Sequence, residues 1–342
     1  MKSLHFRASV QWARKFETSA RHQQSTAQDA AARLLDTFAG KTVSRRQLID
    51  GNQLQKLSLT LGRTCIGTHN VAERPPPVGT PVPPGHHMVY FTPSGVEDEL
   101  GPDGSDRTYN AAAPFSRRMW AGGTMQWPAE SASSIRVGDE VEERTTLLSA
   151  TAKKSRSAGE MVLVEVVKEL QGPRGVALVD RRSWVFRPEV DPSSAAAAAA
   201  AAPKPPRQTK QGPTVIKDVT SASSFPARNF CWSPVGLFRF SALTFNGHKI
   251  HYNEGWTTAV EGHPGVVVHG PLNLINILDY WRDVHGNGQA PKEIVYRAMS
   301  PLYAGDQYQV HTANVEVEAE GNKYHILADK DGVVCMKAAV VL

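Results

Sequence analysis

Residues 269–282 read HGPLNLINILDYWR and predict a helix that is apolar on most of its surface. Pro271 suits the first turn of a helix, where its missing amide hydrogen costs no hydrogen bond. Apolar side chains then fall on nearly every side, which is typical of a helix buried in a core. Runs of strand-forming residues follow at 308–317, 324–327 and 333–341. The sequence therefore predicts an α+β unit in which an antiparallel sheet curves around one buried helix.

The same pattern of strands occurs twice in the chain. Arg136-Val-Gly-Asp139 precedes three apolar runs in the first half, and Tyr303-Ala-Gly-Asp306 precedes three in the second. Each half thus ends with a Gly-Asp turn and three long β segments joined by short polar turns. A repeat of this length indicates a duplicated domain. In the first half, one run starts at Val141, a second spans Met161 to Val167, and a third spans Val176 to Phe186.

Two stretches rich in proline divide the chain. Residues 191–217 contain eight consecutive alanines followed by Pro-Lys-Pro-Pro, and they predict an exposed, semi-rigid linker. Residues 74–85 (RPPPVGTPVPPG) predict a long loop inside the first half. The expected domains are therefore 29–190, with a helix at Gln47–Leu61, and 218–342.

The charge distribution argues against a nucleic-acid-binding surface. The chain has 38 Lys and Arg against 33 Asp and Glu, a net charge of +5, and residues 1–50 supply that excess with nine basic and four acidic residues. The rest of the chain is neutral and lacks the basic excess that nucleic acid requires. No apolar run approaches the roughly 18 residues of a membrane span. Three distant cysteines, Cys65, Cys231 and Cys335, exclude a disulfide framework and a CxxC metal site.

Residues 1–28 have the composition of a mitochondrial presequence. They hold five basic residues and a single acidic one, and Phe6, Val10, Ala13 and Phe16 recur at helical spacing. Segments that are basic, acid-poor, serine-containing and amphipathic direct proteins to mitochondria. We therefore expect a presequence and a mature chain in the mitochondrial matrix, with an ordinary basic helix or tail as the alternative.

Four histidines lie in the segment that leads into the buried helix. They are His248, His251, His263 and His269. This spacing invites a zinc site, but the segment has no H-E-x-x-H motif and no nearby pair of thiolates. Histidines held in loops by backbone groups are a second interpretation. We expect neither a metal nor another cofactor.

Acid-base chemistry fits this segment better. Asn246 and His251 stand at the end of an apolar segment, and His269-Gly270 stands where the buried helix begins. The free amides of a helix N-terminus are donors for a developing oxyanion. An imidazole that faces the same point can move a proton at neutral pH. Together they suit removal of a proton next to a carbonyl group.

At these residues the sequence resembles the MaoC-like hydratase and dehydratase signature, Gly-Asp-x-Asn-Pro-aliphatic-His followed by His-Gly. The resemblance implies a hotdog fold, in which an antiparallel sheet wraps a long helix. It also implies the addition or removal of water across the C2–C3 bond of acyl thioesters. His251 falls on the family's catalytic histidine, Ile250 on the aliphatic position, and Gly270 on the glycine whose amide binds the thioester oxygen.

The chain departs from that signature at three positions. The family's aspartate is Asn246 here, its asparagine is His248 and its proline is Lys249. Residues 240–252 (FSALTFNGHKIHY) resemble a fungal and bacterial subgroup, the type 2 hydroxyacyl-thioester dehydratases and mesaconyl-CoA hydratases, in which the asparagine is normal. A carboxamide exchanges no proton at neutral pH, so the resemblance leaves His251 as the single base and Asn246 as a holder of the hydroxyl or water. His248 either assists or holds the loop, and we favour the loop role.

The first half supports the resemblance. Residues 115–123 (FSRRMWAGG) are similar to a subgroup motif, and the YFTP and DGSD segments also fit, so the likeness covers about 45–342. It implies a double hotdog whose first domain is non-catalytic and forms part of the acyl pocket. The resulting substrate-binding set is His248, His269, Arg117, Arg118 and Trp120. The two arginines either meet the phosphates of a CoA or carrier-protein arm or form surface or structural ion pairs.

The resemblance implies a lyase that dehydrates 3-hydroxyacyl thioesters reversibly to trans-2-enoyl thioesters, in the context of mitochondrial fatty-acid synthesis. Its partners would be thioesters of CoA or of an acyl carrier protein. The chain would act as a monomeric pseudo-dimer, or as a homodimer. The alternatives are a mesaconyl-CoA-type hydratase of a short branched dicarboxylic acyl-CoA, a hotdog thioesterase, and a non-catalytic acyl-binding protein.

Overall fold

The described part of the chain comprises thirteen strands and five α-helices in a computed structural model. The structure describes residues 26–128, 134–156, 159–190, 212–220, 225–319 and 321–342. Its strands are β1 (Thr42–Leu48), β2 (Cys65–Ile66), β3 (His69–Asn70), β4 (Arg117–Gln126), β5 (Glu140–Ser155), β6 (Gly159–Gly172), β7 (Gly175–Arg187), β8 (Val215–Val219), β9 (Ala227–Cys231), β10 (Glu293–Ala298), β11 (Gln307–Glu318), β12 (Gly321–Lys330) and β13 (Val333–Val341). Its α-helices are α1 (Ala27–Phe38), α2 (Gly51–Thr60), α3 (Pro234–Leu243), α4 (Glu254–Ala259) and α5 (Gly270–Val284).

Eleven of these strands form one sheet that runs through both halves of the chain, in the order β1-β5-β6-β7-β4-β10-β13-β12-β11-β9-β8. Every neighbouring pair is antiparallel. Each half contributes its own meander of long strands, as the repeated sequence pattern predicts. The expected α+β architecture is confirmed. Among the described helices, none is long and apolar enough to cross a membrane.

The predicted buried helix is α5. Its ten consecutive residues from Leu272 to Trp281 are all buried, so the helix has no solvent-facing side over that length. It packs against β11, β12 and β13, which curve around it. Pro271 stands in its first turn, where no amide hydrogen is needed.

The two Gly-Asp turns have the same geometry. Gly138 and Gly305 both have positive φ, +93° and +79°, which glycine adopts without steric cost. Asp139 accepts a hydrogen bond from the Arg136 amide and Asp306 one from the Tyr303 amide, each at 2.8 Å. The matched turns support the inferred duplication, because each starts the strand meander of its half.

The inner face of the first-half sheet is covered by shorter helices. α1 begins after Thr26, which forms a reciprocal capping box with Asp29. Its buried face, with Leu34, belongs to one apolar cluster with Val164 and Phe186. α2 begins after Asp50, whose side chain caps it. The helix predicted at Gln47–Leu61 therefore starts later than expected, because Gln47 and Leu48 pair with β5 as the end of β1.

The predicted presequence and the predicted linker each end inside a folded element. Residues 1–25 of the predicted presequence, and 191–211 of the predicted linker, lie outside the described residues. α1 includes Ala27 and Gln28, and β8 includes residues 215–217, so folded elements start inside both predicted segments. Residues 74–85 form a loop whose only β pairing is a single bridge at Pro81.

The two halves join where β4 pairs with β10. Gly122 and Gly123 lie opposite Arg297 and Tyr296 at this junction, next to a register shift in the β4–β7 ladder. A Cβ on Gly122 would lie 2.5 Å from the Tyr296 carbonyl oxygen. A Cβ on Gly123 would overlap the Arg181 carbonyl oxygen. Both glycines are needed because the strands approach too closely for any side chain.

We predict that Gly123→Ala destabilises the chain, because the added methyl group forces β4 away from β7 at the junction. The expected loss in the free energy of unfolding is ~1–3 kcal/mol, the usual cost of overpacking. Urea unfolding followed by circular dichroism measures it. Gly172→Ala is the matched control, since a Cβ there meets nothing closer than 3.9 Å. Equal stability of the two variants would contradict the proposed constraint.

Candidate active site

A cavity of about 440 Å³ lies between the two halves and is lined by both. The second half contributes the segment 244–251 and the start of α5, and the first half contributes the inner face of β4 to β7. Seven of the eight predicted catalytic and substrate-binding residues line it: Arg118, Trp120, Asn246, His248, His251, His269 and Gly270. Residues more than 100 positions apart are therefore brought to one site.

His251 is held as a neutral imidazole with one free ring nitrogen. It ends a short 3-10 turn, Lys249–His251, and only 8% of it is exposed. Its Nδ1–H donates to the Val267 carbonyl oxygen at 2.8 Å, so Nε2 carries the lone pair. Burial, and then the neighbouring His248, lower the pKa of His251 to about 3. The ring is therefore neutral at pH 7.

His269 supports the ring of His251. The two rings stack at 3.6 Å between centroids and 18° between planes. The Ser241 hydroxyl holds His269 from behind, at 2.9 Å from its Nε2. Burial, followed by the proximity of His251, lowers the pKa of His269 well below its ordinary value. A neutral His269 thus fixes the plane of His251 without adding a charge.

Gly270 presents the first amide of α5 to the same cavity. The first amides of a helix have no partner within it and carry its positive dipole end. A Cβ at Gly270 would lie 3.1 Å from Trp120, so the absence of a side chain allows Trp120 to pack here. The amide is suited to stabilise an oxygen that gains negative charge.

Asn246 has its carbonyl side occupied and its amino side free to donate. Its Oδ1 accepts a hydrogen bond from the His248 amide at 3.1 Å. The NH2 group then remains available to the cavity. Phe245, just before it, has φ +47°, a left-handed turn that ends the segment after α3. This turn directs the chain from α3 towards the histidines.

A loop from the first half completes the site, and sequence reasoning missed its key residue. Asp103 Oδ2 lies 3.4 Å from His248 Nε2, and the Asp103 carbonyl accepts a hydrogen bond from the Lys249 amide at 2.8 Å. Gly104 has φ +78° and packs so tightly on Gly247 that a Cβ would overlap the Gly247 carbonyl oxygen. The DGSD segment was a signal for this loop, but its spacing alone gave no partner.

The two predicted arginines have different environments. Arg117 forms an ion pair with Glu261 at 2.6 Å and does not line the cavity, which matches the structural alternative. Arg118 lines the cavity, lies 3.8 Å from Asp106 and stands 5.3 Å over the ring of Trp184. No group of three or more metal-ligating side chains is present among the described residues.

The family model for hydroxyacyl-thioester dehydratase type 2 matches residues 85–304, which is more than half of the chain. A mesaconyl-C(4)-CoA hydratase from Chloroflexus aurantiacus is 27% identical over 273 residues, covering 78% of this chain and 86% of that protein. The mitochondrial hydroxyacyl-thioester dehydratase type 2 of Schizosaccharomyces pombe is 24% identical over 240 residues, covering 68% and 77%.

Solved structures confirm the fold. A MaoC-like dehydratase superposes with a TM-score of 0.62 at 13% identity and covers 90% of this chain and 99% of its own. A Mycobacterium tuberculosis protein described as a double hotdog superposes with a TM-score of 0.50 at 13% identity, covering 88% and 95%. The expected double hotdog is therefore confirmed, and its two units in one chain form a pseudo-dimer.

We expect acid to weaken the fold through His251. Its pKa is 6.5 ordinarily and about 3 in the folded chain, so at pH 5 the unfolded state binds a proton that the folded state does not. Stability should therefore fall as pH drops below 6.5, by about 2 kcal/mol per such histidine at pH 5. His251→Gln should lose less stability between pH 7 and pH 5 than the parent chain, in urea unfolding. His69→Gln, at the start of β3, is the control and should follow the parent. A His251→Gln variant that also follows the parent would contradict the assignment.

Proposed function

Because this chain belongs to the hydroxyacyl-thioester dehydratase type 2 family and is a hydro-lyase, we propose that it dehydrates 3-hydroxyacyl thioesters reversibly to trans-2-enoyl thioesters. The observation that carries the proposal is the shared cavity of His251 and Gly270, a neutral imidazole beside the first amide of a buried helix. The first is a base at neutral pH, and the second stabilises the charge that appears when the base acts.

In the proposed mechanism the thioester carbonyl oxygen accepts a hydrogen bond from the Gly270 amide. His251 Nε2 removes the proton from C2, and negative charge moves onto that carbonyl oxygen. The C3 hydroxyl then leaves as water with the proton that His251 returns, and the C2–C3 double bond forms. His251 is neutral again at the end of the cycle. Hydration is the reverse, in which water gives its hydroxyl to C3 and a proton reaches C2 through His251.

Asn246 and His248 would hold the departing hydroxyl in place. The Asn246 NH2 group donates to the hydroxyl or water oxygen, since its own carbonyl is engaged by the His248 amide. His248 is a positioning residue in this scheme, because Asp103 fixes its ring and its amide fixes Asn246. Burial lowers the pKa of His248, which keeps a second positive charge away from His251.

Two kinds of acyl group are compatible with this chemistry. A role in mitochondrial fatty-acid synthesis requires a linear alkyl chain in the cavity, whereas one relative is named for a mesaconyl thioester. The same hydration chemistry serves both, so the assignment of His251 does not depend on this choice.

We also propose that the protein works in the mitochondrial matrix. The support is the basic, acid-poor pattern of residues 1–28 and the S. pombe relative, which is named as mitochondrial; the other relative is bacterial. α1 begins at Ala27 and is capped by Thr26, so we expect the presequence to be cleaved on the N-terminal side of Thr26.

We predict that the full chain fused to a fluorescent protein at its C-terminus enters yeast mitochondria, and that residues 26–342 with the same fusion stay outside. N-terminal sequencing of the imported protein should give a start at or before Thr26. Equal import of both chains would contradict the presequence.

We predict that His251→Ala lowers hydration of crotonyl-CoA by about 10²–10⁴-fold, the usual loss for one general base. The measurement is the loss of the enoyl-thioester absorbance in the ultraviolet, with circular dichroism to verify the fold. His325→Ala, on the outer face of β12, is the matched histidine control and should keep parent activity. A His251→Ala enzyme within a few-fold of the parent would remove His251 from the mechanism, and absence of hydration in the parent would favour a thioesterase or a non-catalytic binder.

A further inference from the structure

Asn273 is a polar side chain of α5 that lines the cavity and that no sequence motif assigns to the site. It lies three residues after Gly270, and its neighbours Leu272, Leu274 and Ile275 are apolar and fully buried. Asn273 itself is only 6% exposed. A carboxamide buried to this extent destabilises the fold unless its oxygen and its two amino hydrogens find partners.

The Tyr308 hydroxyl determines which end of the Asn273 amide faces the sheet. Its oxygen accepts hydrogen bonds from the Trp232 Nε1–H and from the Asn276 NH2 group, each at 3.0 Å. These two donors occupy the acceptor positions of the phenol oxygen. Its single hydrogen is then donated to Asn273 Oδ1, at 2.8 Å. Burial raises the pKa of Tyr308, so the hydroxyl keeps this hydrogen at neutral pH.

The NH2 group of Asn273 is therefore the end of the amide that is left for the cavity. The bond to Tyr308 engages its oxygen, and among the described residues no side chain or carbonyl accepts from its Nδ2. α5 has no solvent-facing side from Leu272 to Trp281, so the cavity is the space that these two hydrogens reach. An oxygen atom of a bound ligand would be their acceptor.

Helix geometry places this donor close to the Gly270 amide. Residues three apart lie on the same face of a helix, and each Cα–Cβ bond is tilted toward the helix N-terminus. The Asn273 side chain is therefore directed back toward the first turn of α5, which begins at Gly270. Both residues line the same cavity. A backbone amide and a carboxamide that face one point are the donors from which an oxyanion hole is built.

We propose that Asn273 is a second oxyanion donor, whose NH2 group donates to the thioester carbonyl oxygen together with the Gly270 amide. The inference rests on the proposed function and adds a catalytic residue to it. When His251 removes the C2 proton, negative charge moves onto that oxygen and both hydrogen bonds become stronger. Asn273 neither gives nor takes a proton, because a carboxamide does not ionise at neutral pH. Since Tyr308 holds the amide in place beforehand, the donor needs no reorganisation as the charge develops.

The first test is kinetic and uses the full-length chain with crotonyl-CoA. Asn273→Asp keeps an acceptor for the Tyr308 hydroxyl but replaces the NH2 group with an oxygen, and Asn273→Ala removes both ends of the amide. We expect each variant to lower kcat by about 10²–10³-fold, the usual loss for one oxyanion donor. The KM should stay within a few-fold of the parent value, because the bond gains its strength in the transition state.

Asn276→Ala is the matched control. Asn276 belongs to the same helix, is 2% exposed and donates to the same Tyr308 hydroxyl, but it does not line the cavity. Its loss should lower stability in urea unfolding and leave kcat within a few-fold of the parent. If Asn273 did no more than hold the helix against the sheet, the two alanine variants would lose stability and activity alike. That result would overturn the inference.

A spectroscopic measurement detects the donor without relying on turnover. In a His251→Ala chain, crotonyl-CoA should bind without being consumed, and infrared spectroscopy of the isotope-labelled thioester then reports how strongly its carbonyl is polarised. We expect the carbonyl stretch of the bound thioester to lie below its value in water, and the added Asn273→Ala change to move it back toward that value.

A carbonyl stretch that Asn273→Ala leaves unchanged would overturn the inference, even if Asn273→Asp does not fold. Parent-like kcat in both Asn273 variants would overturn it as well and would leave the proposed function intact. Failure of the parent chain to hydrate crotonyl-CoA would instead overturn the proposed function, and the inference with it.

Discussion

The complete burial of α5 is the constraint on which the rest of the structure depends. The helix carries polar residues on its buried surface, and each must find a partner inside the protein. Asn273 and Asn276 both bond to the Tyr308 hydroxyl, at 2.8 and 3.0 Å. Tyr308 belongs to β11, so these bonds fix the helix against the sheet that wraps it.

Asp279 extends this constraint to the other half. It is 3% exposed and contacts His86 and Arg63, both from the first half, as well as Arg282 of its own helix. Burial alone would raise the pKa of this carboxyl, but the surrounding cations lower it well below its ordinary value. Removing one partner of such a buried group is strongly destabilising. The two hotdog units are thus held together by charge as well as by the sheet.

The halves divide the work of the site between them. The second half lines the cavity with His251, Asn246 and Gly270, and the first half lines it with residues of β4 to β7. Asp103 also reaches from the first half to His248, as Trp120 reaches to Gly270, so contacts between the halves run through the site. In the proposed mechanism, changes in these first-half residues can alter which acyl group fits without touching His251.

The sequence predicted the features that depend on local pattern. The buried helix, the Gly-Asp turns and the long strands follow from periodicity and turn chemistry, and they are confirmed. The start of α2 was predicted too early, because pairing of Gln47 and Leu48 with a strand some 90 positions later is not a local property. The charged residues of the first half that line the cavity were not predicted, for the same reason. Lys168 and Arg182 look like outward-facing charges in a strand until the sheet closes over them.

The position of β13 has a consequence for how the protein is made. It follows every other strand of the sheet in chain order, yet it lies between β10 and β12 in the interior of the sheet. Until it leaves the ribosome, β10 and β12 have no common neighbour, and the sheet around α5 stays open. Domains otherwise tend to fold in the order in which they are synthesised. Here the first hotdog can form early, but the second must wait for β13 before the sheet around α5 closes.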